Sequence, residues 1–382
     1  SRLNGLINKM INNPKLGFIG IGKLGICLAS ILKSKYHVSI YDRDSKRIQS
    51  LLEKDQFEEP GLEEFRRNIK HLKIESSALS VIQKTSITFV CINTPSLKSG
   101  EYDTTGLFGI CEELKERKIK DKTLVIVCTT NPGDCDKMQE KLIDNNINII
   151  YSPEFIAQGS IVSDLRNPDI FICGGAASAR RAVVEIYKNI INPSAETEFF
   201  EMSNVSAEIV KIAINSFLTV KIAFANMIGE ILYQSGQKGE IDTALSAIGA
   251  DHRINSKYLS FGFGFGGPCL PRDNIALKKY CEKINLQNLL GKSSDVLNHL
   301  HQNFLIKTLI NENTERLPFF FQTLAYKRGT SIISPSQPYD ICLALIDMGY
   351  KVYVGDEVKN QPVDGRINFG TPEEKVFNVE FW

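Results

Sequence analysis

Cys269 lies in the run FGFGFGGPCLPRD, Phe261 to Asp273, behind glycines at 262, 264, 266 and 267. Glycines let main chain approach a ligand closely. The pattern RDNIALKKY that follows reads as a helix, so the thiol stands at a helix start, where the dipole draws it toward the nucleophilic thiolate. Asp273, four residues on, falls about one turn from the sulfur and is placed to orient a water or a lysine. The competing reading is a glycine-rich turn whose cysteine is a small buried hydrophobe.

Lys211 and Asn215 form a second group. They stand at i and i+4 in AEIVKIAIN and share one helix face. An ammonium held internally there stabilises an alkoxide or thiolate; the alternative is a surface lysine whose stem snorkels along apolar neighbours. A third group is Gly20-Ile21-Gly22-Lys23-Leu24-Gly25, with Asp42 closing the next apolar run, HVSIYDRD. Glycines at that spacing bring backbone and a helix N-terminus to a pyrophosphate, and the carboxylate accepts from a ribose 2′-hydroxyl. NAD is therefore expected over NADP. Arg43, beside the acid, is the one feature that suits a 2′-phosphate.

These residues need a scaffold, and the apolar runs supply one. LGFIGI, SITFVCINTP, TLVIVCTTNPG, INIIYSPEF and DIFICGG alternate with helical patterns such as Thr104 to Arg117 and Asp134 to Asp144. That alternation predicts an α/β fold with a doubly wound parallel sheet over about the first 200 residues. From Asn204 one long helical pattern follows, with Ser206 as N-cap and Gly236 near its end. It is apolar on more than one face, which predicts a buried spine joining two domains or two subunits. After a helix over Ser293 to Asn311, the runs LPFFFQTLAY, QPYDICLALIDMG and YKVYVGDE predict a smaller Rossmann-like α/β unit. Val358 to Trp382 carries no readable pattern.

Composition excludes some partners. Forty-five basic against 44 acidic residues leave a charge of +1, so no global field attracts nucleic acid or an anionic membrane. No run of roughly 18 apolar residues and no signal-peptide core is expected. Nine scattered cysteines without metal-like spacing to the five histidines predict reduced thiols in a cytoplasm, most of them core residues, and no metal site.

Several blocks, in order, resemble the UDP-glucose/GDP-mannose dehydrogenase family: EEPGL at 58–62, INTP at 92–95, SPEFIAQGSIVSDLRNPD at 152–169, AEIVKIAINSFLTVKIAFAN at 207–226 and GFGFGGPCLPRDNIAL at 262–277. The resemblance runs from Leu16 to Glu357. It implies oxidation of the C6 alcohol of a nucleotide sugar, UDP-glucose or a related UDP-hexose, to the uronic acid with two NAD. It implies Cys269 as nucleophile, passing through a thiohemiacetal and a thioester. Glu154 would be the acid/base, Thr129 would hold the water, Lys211 and Asn215 would steady the oxyanion, and Asp273 would support the water and lysine.

Cofactor contacts implied are Gly20, Gly22, Lys23, Leu24, Gly25, Asp42, Thr94, Pro95 and Thr129. Substrate contacts implied are Glu154, Phe155, Ile156, Lys211, Asn215, Arg253, Phe261, Gly262, Phe263, Gly264, Gly266, Gly267, Cys269 and Lys327. Residues 1–203 would bind NAD, 204–300 would form a helical catalytic region and homodimer interface, and 301–382 would bind the nucleotide sugar. Departures from the family pattern are Gln158 for a second glutamate, Thr130-Asn131 for Val-Pro, Ile170 for an arginine, and YKRGTSIISP at 326–335, which lacks paired acids and an arginine. Two other readings stay open: a nucleotide-sugar-binding homologue with impaired turnover, and a β-hydroxyacid dehydrogenase-like enzyme.

Overall fold

The computed structural model describes residues 14–53, 59–157, 159–330, 332–355 and 362–380. Gln158, Glu58 and Ser331, each part of a sequence block above, lie outside them. The described chain divides into two compact units, one up to Lys211 and one from Ile212.

Eight strands form the sheet of the first unit: β1 Lys15–Ile19, β2 His37–Tyr41, β3 Lys73–Ile74, β4 Ile87–Val90, β5 Lys122–Ile126, β6 Ile147–Tyr151, β7 Ile170–Gly174 and β8 Glu198–Met202. Their order is β3-β2-β1-β4-β5-β6-β7-β8. All neighbouring pairs are parallel except β6 with β7, which meet antiparallel at Tyr151 and Gly174. Leu16, Phe18, Ile87 and Phe89 are wholly buried, in register across β1 and β4, and the two phenylalanine rings stack at 4.9 Å. Strands apolar on both faces require helices on both, and two buried apolar clusters contain the sheet residues of each face. The strand order reverses between β1 and β4, and ligands of such sheets bind outside the carboxyl ends of the strands at that point.

The helices that position the site are α1 Lys23–Leu32, α2 Asp134–Lys141, α3 Ala177–Lys188, α4 Asn204–Gln234, α5 Leu270–Lys283, α6 Leu289–Glu312 and α7 Gln337–Asp347. The expected N-cap of α4 is corrected. The helix starts at Asn204, and the Ser206 N–H donates to Ser203 Oγ at 3.3 Å, so the serine three residues earlier is the acceptor. Asn204 ties this end to β6, accepting from Tyr151 N at 3.0 Å and donating to Ile149 O at 3.1 Å. Gly236 follows the helix with φ 76°, as expected of a C-terminal glycine.

Among the described residues α4 alone is long and apolar enough to cross a membrane, contrary to the expectation that no such run exists. Several of its polar side chains are buried and paired within the protein. Glu208 is fully buried and accepts from Thr130 Oγ1 at 2.8 Å, Gly133 N at 2.6 Å and Cys135 N at 3.0 Å, capping the N-terminus of α2. Ser216 donates to Asn274 at 2.6 Å, and Asn226 accepts from Gly262 N at 3.1 Å.

The second unit contains a parallel four-stranded sheet in the order β11-β10-β9-β12, with β9 Phe319–Phe321, β10 Val352–Val354, β11 Asn368–Phe369 and β12 Phe377–Val379. Phe319, Phe321, Val352 and Val354 bury against Leu305 of α6 and Ile341 and Leu345 of α7. Both outer strands come from the tail that showed no pattern. Strands of two and three residues are too short for a period to register.

Candidate functional site

In the first unit a cavity of about 1110 Å³ opens where the strand order reverses, lined by Gly20 to Ile26, Asp42, Arg43, Arg47, Cys91 and Pro95 among others. Gly20 has φ 92°, and a methyl group there would lie 2.6 Å from the Cys91 carbonyl oxygen. A methyl at Gly25 would lie 2.1 Å from the Gly20 oxygen, so this glycine is what lets α1 pack so close to the turn. Gly22 faces open space, and it caps α1 with no side-chain bond and no acid in the first turn. That helix start is thus shaped for an anion. Asp42 accepts from Ile21 N at 2.6 Å and Asp44 N at 2.8 Å, which locks the carboxylate at the cavity wall. Arg47 approaches it at 3.8 Å. These residues fit NAD: Gly22 and the α1 N-terminus would hold the pyrophosphate and Asp42 the ribose. Thr94, in the loop after β4, donates to the Thr129 carbonyl in the loop after β5 at 2.8 Å.

Glu154, Phe155 and Ile156 follow β6 and are half-buried. The Lys211 ammonium of α4 donates to the Glu154 carbonyl at 2.6 Å and sits 4.6 Å from the Phe155 ring centre. The Glu154 carboxylate accepts a short hydrogen bond from the Tyr187 hydroxyl of α3. Burial pushes the Glu154 carboxyl up to about 7, against the opposing pull of the Tyr187 bond and the Lys211 charge. Glu59 holds the loop beyond, accepting from Gly159 N at 3.3 Å and Ile161 N at 2.8 Å. Lys211 is half-buried, with its ammonium held by the Glu154 carbonyl.

In the second unit Cys269 is the N-cap residue of α5 and is exposed. It is the exposed one of the nine cysteines; burial pushes Cys27, Cys111, Cys128, Cys173 and Cys342 up to about 12. Asp273 is 2% exposed; its N–H donates to the Cys269 carbonyl at 2.9 Å and its carboxylate accepts from Asn215 at 2.6 Å. The half-buried Tyr326 phenol is raised first by burial and then by the charges of Cys269 and Tyr258. Lys327 lies 5.9 Å from the Tyr326 ring centre.

The glycine run has a packing requirement of its own at three positions. A methyl at Gly264 would meet Asn298 at 2.0 Å, one at Gly266 the Pro335 carbonyl at 2.8 Å, and one at Gly267 the Tyr326 ring at 2.4 Å. The close approach there is made by protein. Main-chain bonds clamp the same run: Gly264 N donates to Gln337, Phe265 N to Asn298 at 2.9 Å, and Gly267 N to Pro335 O at 2.7 Å. Gly262 O meets His301 at 2.6 Å, and the other nitrogen of that buried ring meets Glu230 at 2.7 Å. Phe261 and Phe263 pack against the apolar cluster of this unit. Arg253 is exposed and pairs with Asp251 at 2.7 Å, in a turn whose carbonyls at 254 and 255 bond Lys221.

Sequence reading missed Tyr187, Glu59, Glu208 and Tyr326. Tyr187 stands outside every block, whereas Glu59 lies in EEPGL, Glu208 in AEIVKIAIN and Tyr326 beside Lys327, where the block gives a residue's neighbourhood but not its partner. A tyrosine in an otherwise apolar core pattern, as in VVEIY, is the kind of signal that points to a buried hydroxyl with a partner. Among the described residues no cluster suits a metal ion.

Fold and crevice together define an NAD-binding Rossmann unit followed by a second α/β unit. The UDP-glucose/GDP-mannose dehydrogenase family matches the chain in its NAD binding domain over residues 14–191 and in its central domain over 205–299. The chain belongs to this family of NAD-dependent nucleotide-sugar dehydrogenases. A putative UDP-glucose 6-dehydrogenase of Bacillus subtilis is 29% identical over 90% of this chain and 81% of its own length. The UDP-glucose 6-dehydrogenase of Rickettsia felis is 28% identical over 89% and 78%. A UDP-glucose dehydrogenase structure from Pyrobaculum islandicum superposes with a TM-score of 0.81 at 23% identity, covering 95% of this chain and 87% of that one.

Proposed function

We propose that the protein oxidises the C6 alcohol of UDP-glucose, or of a closely related UDP-hexose, to the uronic acid through covalent attachment to Cys269. The observation that carries this reading is the exposed thiol at the head of α5, in a chain whose other cysteines are buried or half-buried. Relatives named UDP-glucose 6-dehydrogenase support the sugar. Bound NAD supplies the hydride acceptor, used twice per sugar.

The Cys269 sulfur adds to the aldehyde carbon, and a proton reaches the oxygen to give a thiohemiacetal. The thioester left by the second oxidation is attacked by water; the carbon–sulfur bond breaks and the thiolate leaves. Each sugar consumes one water and yields a carboxylate, two NADH and three protons. Glu154 takes the proton from the attacking water, which Thr129 helps to hold. Lys211 and Asn215 steady the developing oxyanion, with Asp273 fixing the Asn215 amide. Phe155, Ile156, Phe261, Phe263, Arg253 and Lys327 are the proposed sugar-nucleotide contacts, the last within the 301–382 segment. Gly262, Gly264, Gly266 and Gly267 give the loop its shape. The scattered cysteines suit a reducing cytoplasm.

The test is a panel of UDP- and GDP-hexoses with NAD. Two NADH per UDP-glucose are expected. One per sugar would indicate a simple alcohol dehydrogenase, and none would indicate a binding protein.

The protein is further proposed to act as a homodimer through α4. Phe217, Phe224 and Ile231 are 62%, 38% and 53% exposed and recur every seven residues, the spacing of a helix-to-helix seam. A Phe217→Glu, Ile231→Glu chain is expected to halve the mass seen by light scattering; an unchanged mass would refute this seam.

A further inference from the structure

Tyr187 is 2% exposed on α3, with its ring 4.4 Å from Phe171 and 6.2 Å from Phe89, centre to centre. Phenylalanine would fill that aromatic nest equally well, and a buried hydroxyl is costly unless it is bonded. Its hydroxyl donates to Glu154 Oε1 in a short hydrogen bond.

Among the described residues, the groups that face Glu154 come from three elements. Tyr187 approaches from α3, the Lys211 ammonium from α4, and the Cys91 thiol from the loop after β4. Ser152, at the end of β6, lies beside the Tyr187 hydroxyl. Burial, reinforced by neighbouring negative charge, holds the Cys91 thiol and the Tyr187 phenol far above their ordinary ranges. Both remain protonated near neutral pH, so Glu154 is the acid of this nest that changes charge there. The Tyr187 bond lowers the carboxyl while burial raises it. A phenol that donates to the anion favours the ionised form.

We propose that Tyr187 is a positioning residue for the oxidation: its hydroxyl fixes Oε1 of Glu154, holds the carboxylate in one orientation, and leaves Oε2 as the oxygen that exchanges protons. The proposal rests on the reading of Glu154 as proton carrier, and the experiment separates the two. Tyr187→Phe keeps the ring and removes the hydroxyl, and with it the bond to Glu154 and the contact with Ser152. Two quantities are followed with pH: the carboxyl band of Glu154 in infrared difference spectra, assigned with Glu154→Gln, and kcat.

Loss of the donor is expected to move both midpoints upward by about one unit, lowering kcat near pH 7 by roughly fivefold with recovery at higher pH. The KM for NAD should not move. An infrared midpoint that stays in place overturns the proposal. A shifted infrared midpoint with an unmoved kinetic limb overturns Glu154 as proton carrier and leaves the hold of Tyr187 on its carboxylate standing. If the phenylalanine variant misfolds, a ring-fluorinated tyrosine at 187 is a stronger donor and must shift the infrared midpoint downward. A shift of the other sign, or none, refutes the proposal.

Discussion

Replacing Cys269 by serine is expected to lower uronic acid formation by roughly 10³-fold or more while leaving NAD affinity intact. A serine hydroxyl is scarcely ionised at neutral pH, and its ester resists hydrolysis more than a thioester does. The change is small in volume at an exposed N-cap position, so the fold should tolerate it. Serine is also a favoured N-cap residue, which if anything supports α5. The measurement is NADH released per sugar, with intact-mass spectrometry to detect the acylated chain in the wild type. A serine variant at full turnover would end the covalent mechanism and favour chemistry of the β-hydroxyacid dehydrogenase kind, which needs no thiol.

Glu154→Gln is expected to cost about 10²- to 10⁴-fold in kcat, the usual contribution of a positioned proton carrier. The amide preserves the shape and still accepts from Tyr187, so the loss reports on charge and proton transfer. Burial places the wild-type carboxyl at about 7, so its ionised fraction grows as pH rises through neutrality. A step that uses the carboxylate as base therefore speeds up with pH and levels off above that point. The glutamine variant should show neither the limb nor the plateau, and acylated protein should accumulate because water attack has slowed. A glutamine variant that keeps the limb would assign it to another group.

The glycine turn and acid of the dinucleotide crevice were legible in sequence because they are local, while Cys91 and Pro95 reach its wall from beyond β4. A strand, a turn with glycines at 20, 22 and 25, a helix and an acid at 42 follow one another within one βαβ unit. The same holds for Cys269 at the start of α5, since a helical period beginning after proline is a local pattern. Ser206 shows where such reasoning slips. Any serine near a helix start satisfies the pattern, and only backbone geometry selects Ser203 as the acceptor.

Residue order alone determined the alternating strands and helices, the glycine turn with its acid, and the positions of the thiol and of Lys211. Tertiary structure decided what those residues touch. The glycines at 264, 266 and 267 were plainly required, yet their neighbours Asn298, Pro335 and Tyr326 lie 34, 69 and 59 residues away in the chain. Tyr187 meets Glu154 across 33 residues, and β11 and β12 exist only because β10 and β9 offer them an edge. Local order sets backbone conformation over a few residues, whereas burial, desolvation and side-chain pairing depend on which distant segments arrive, and no period in the chain encodes that.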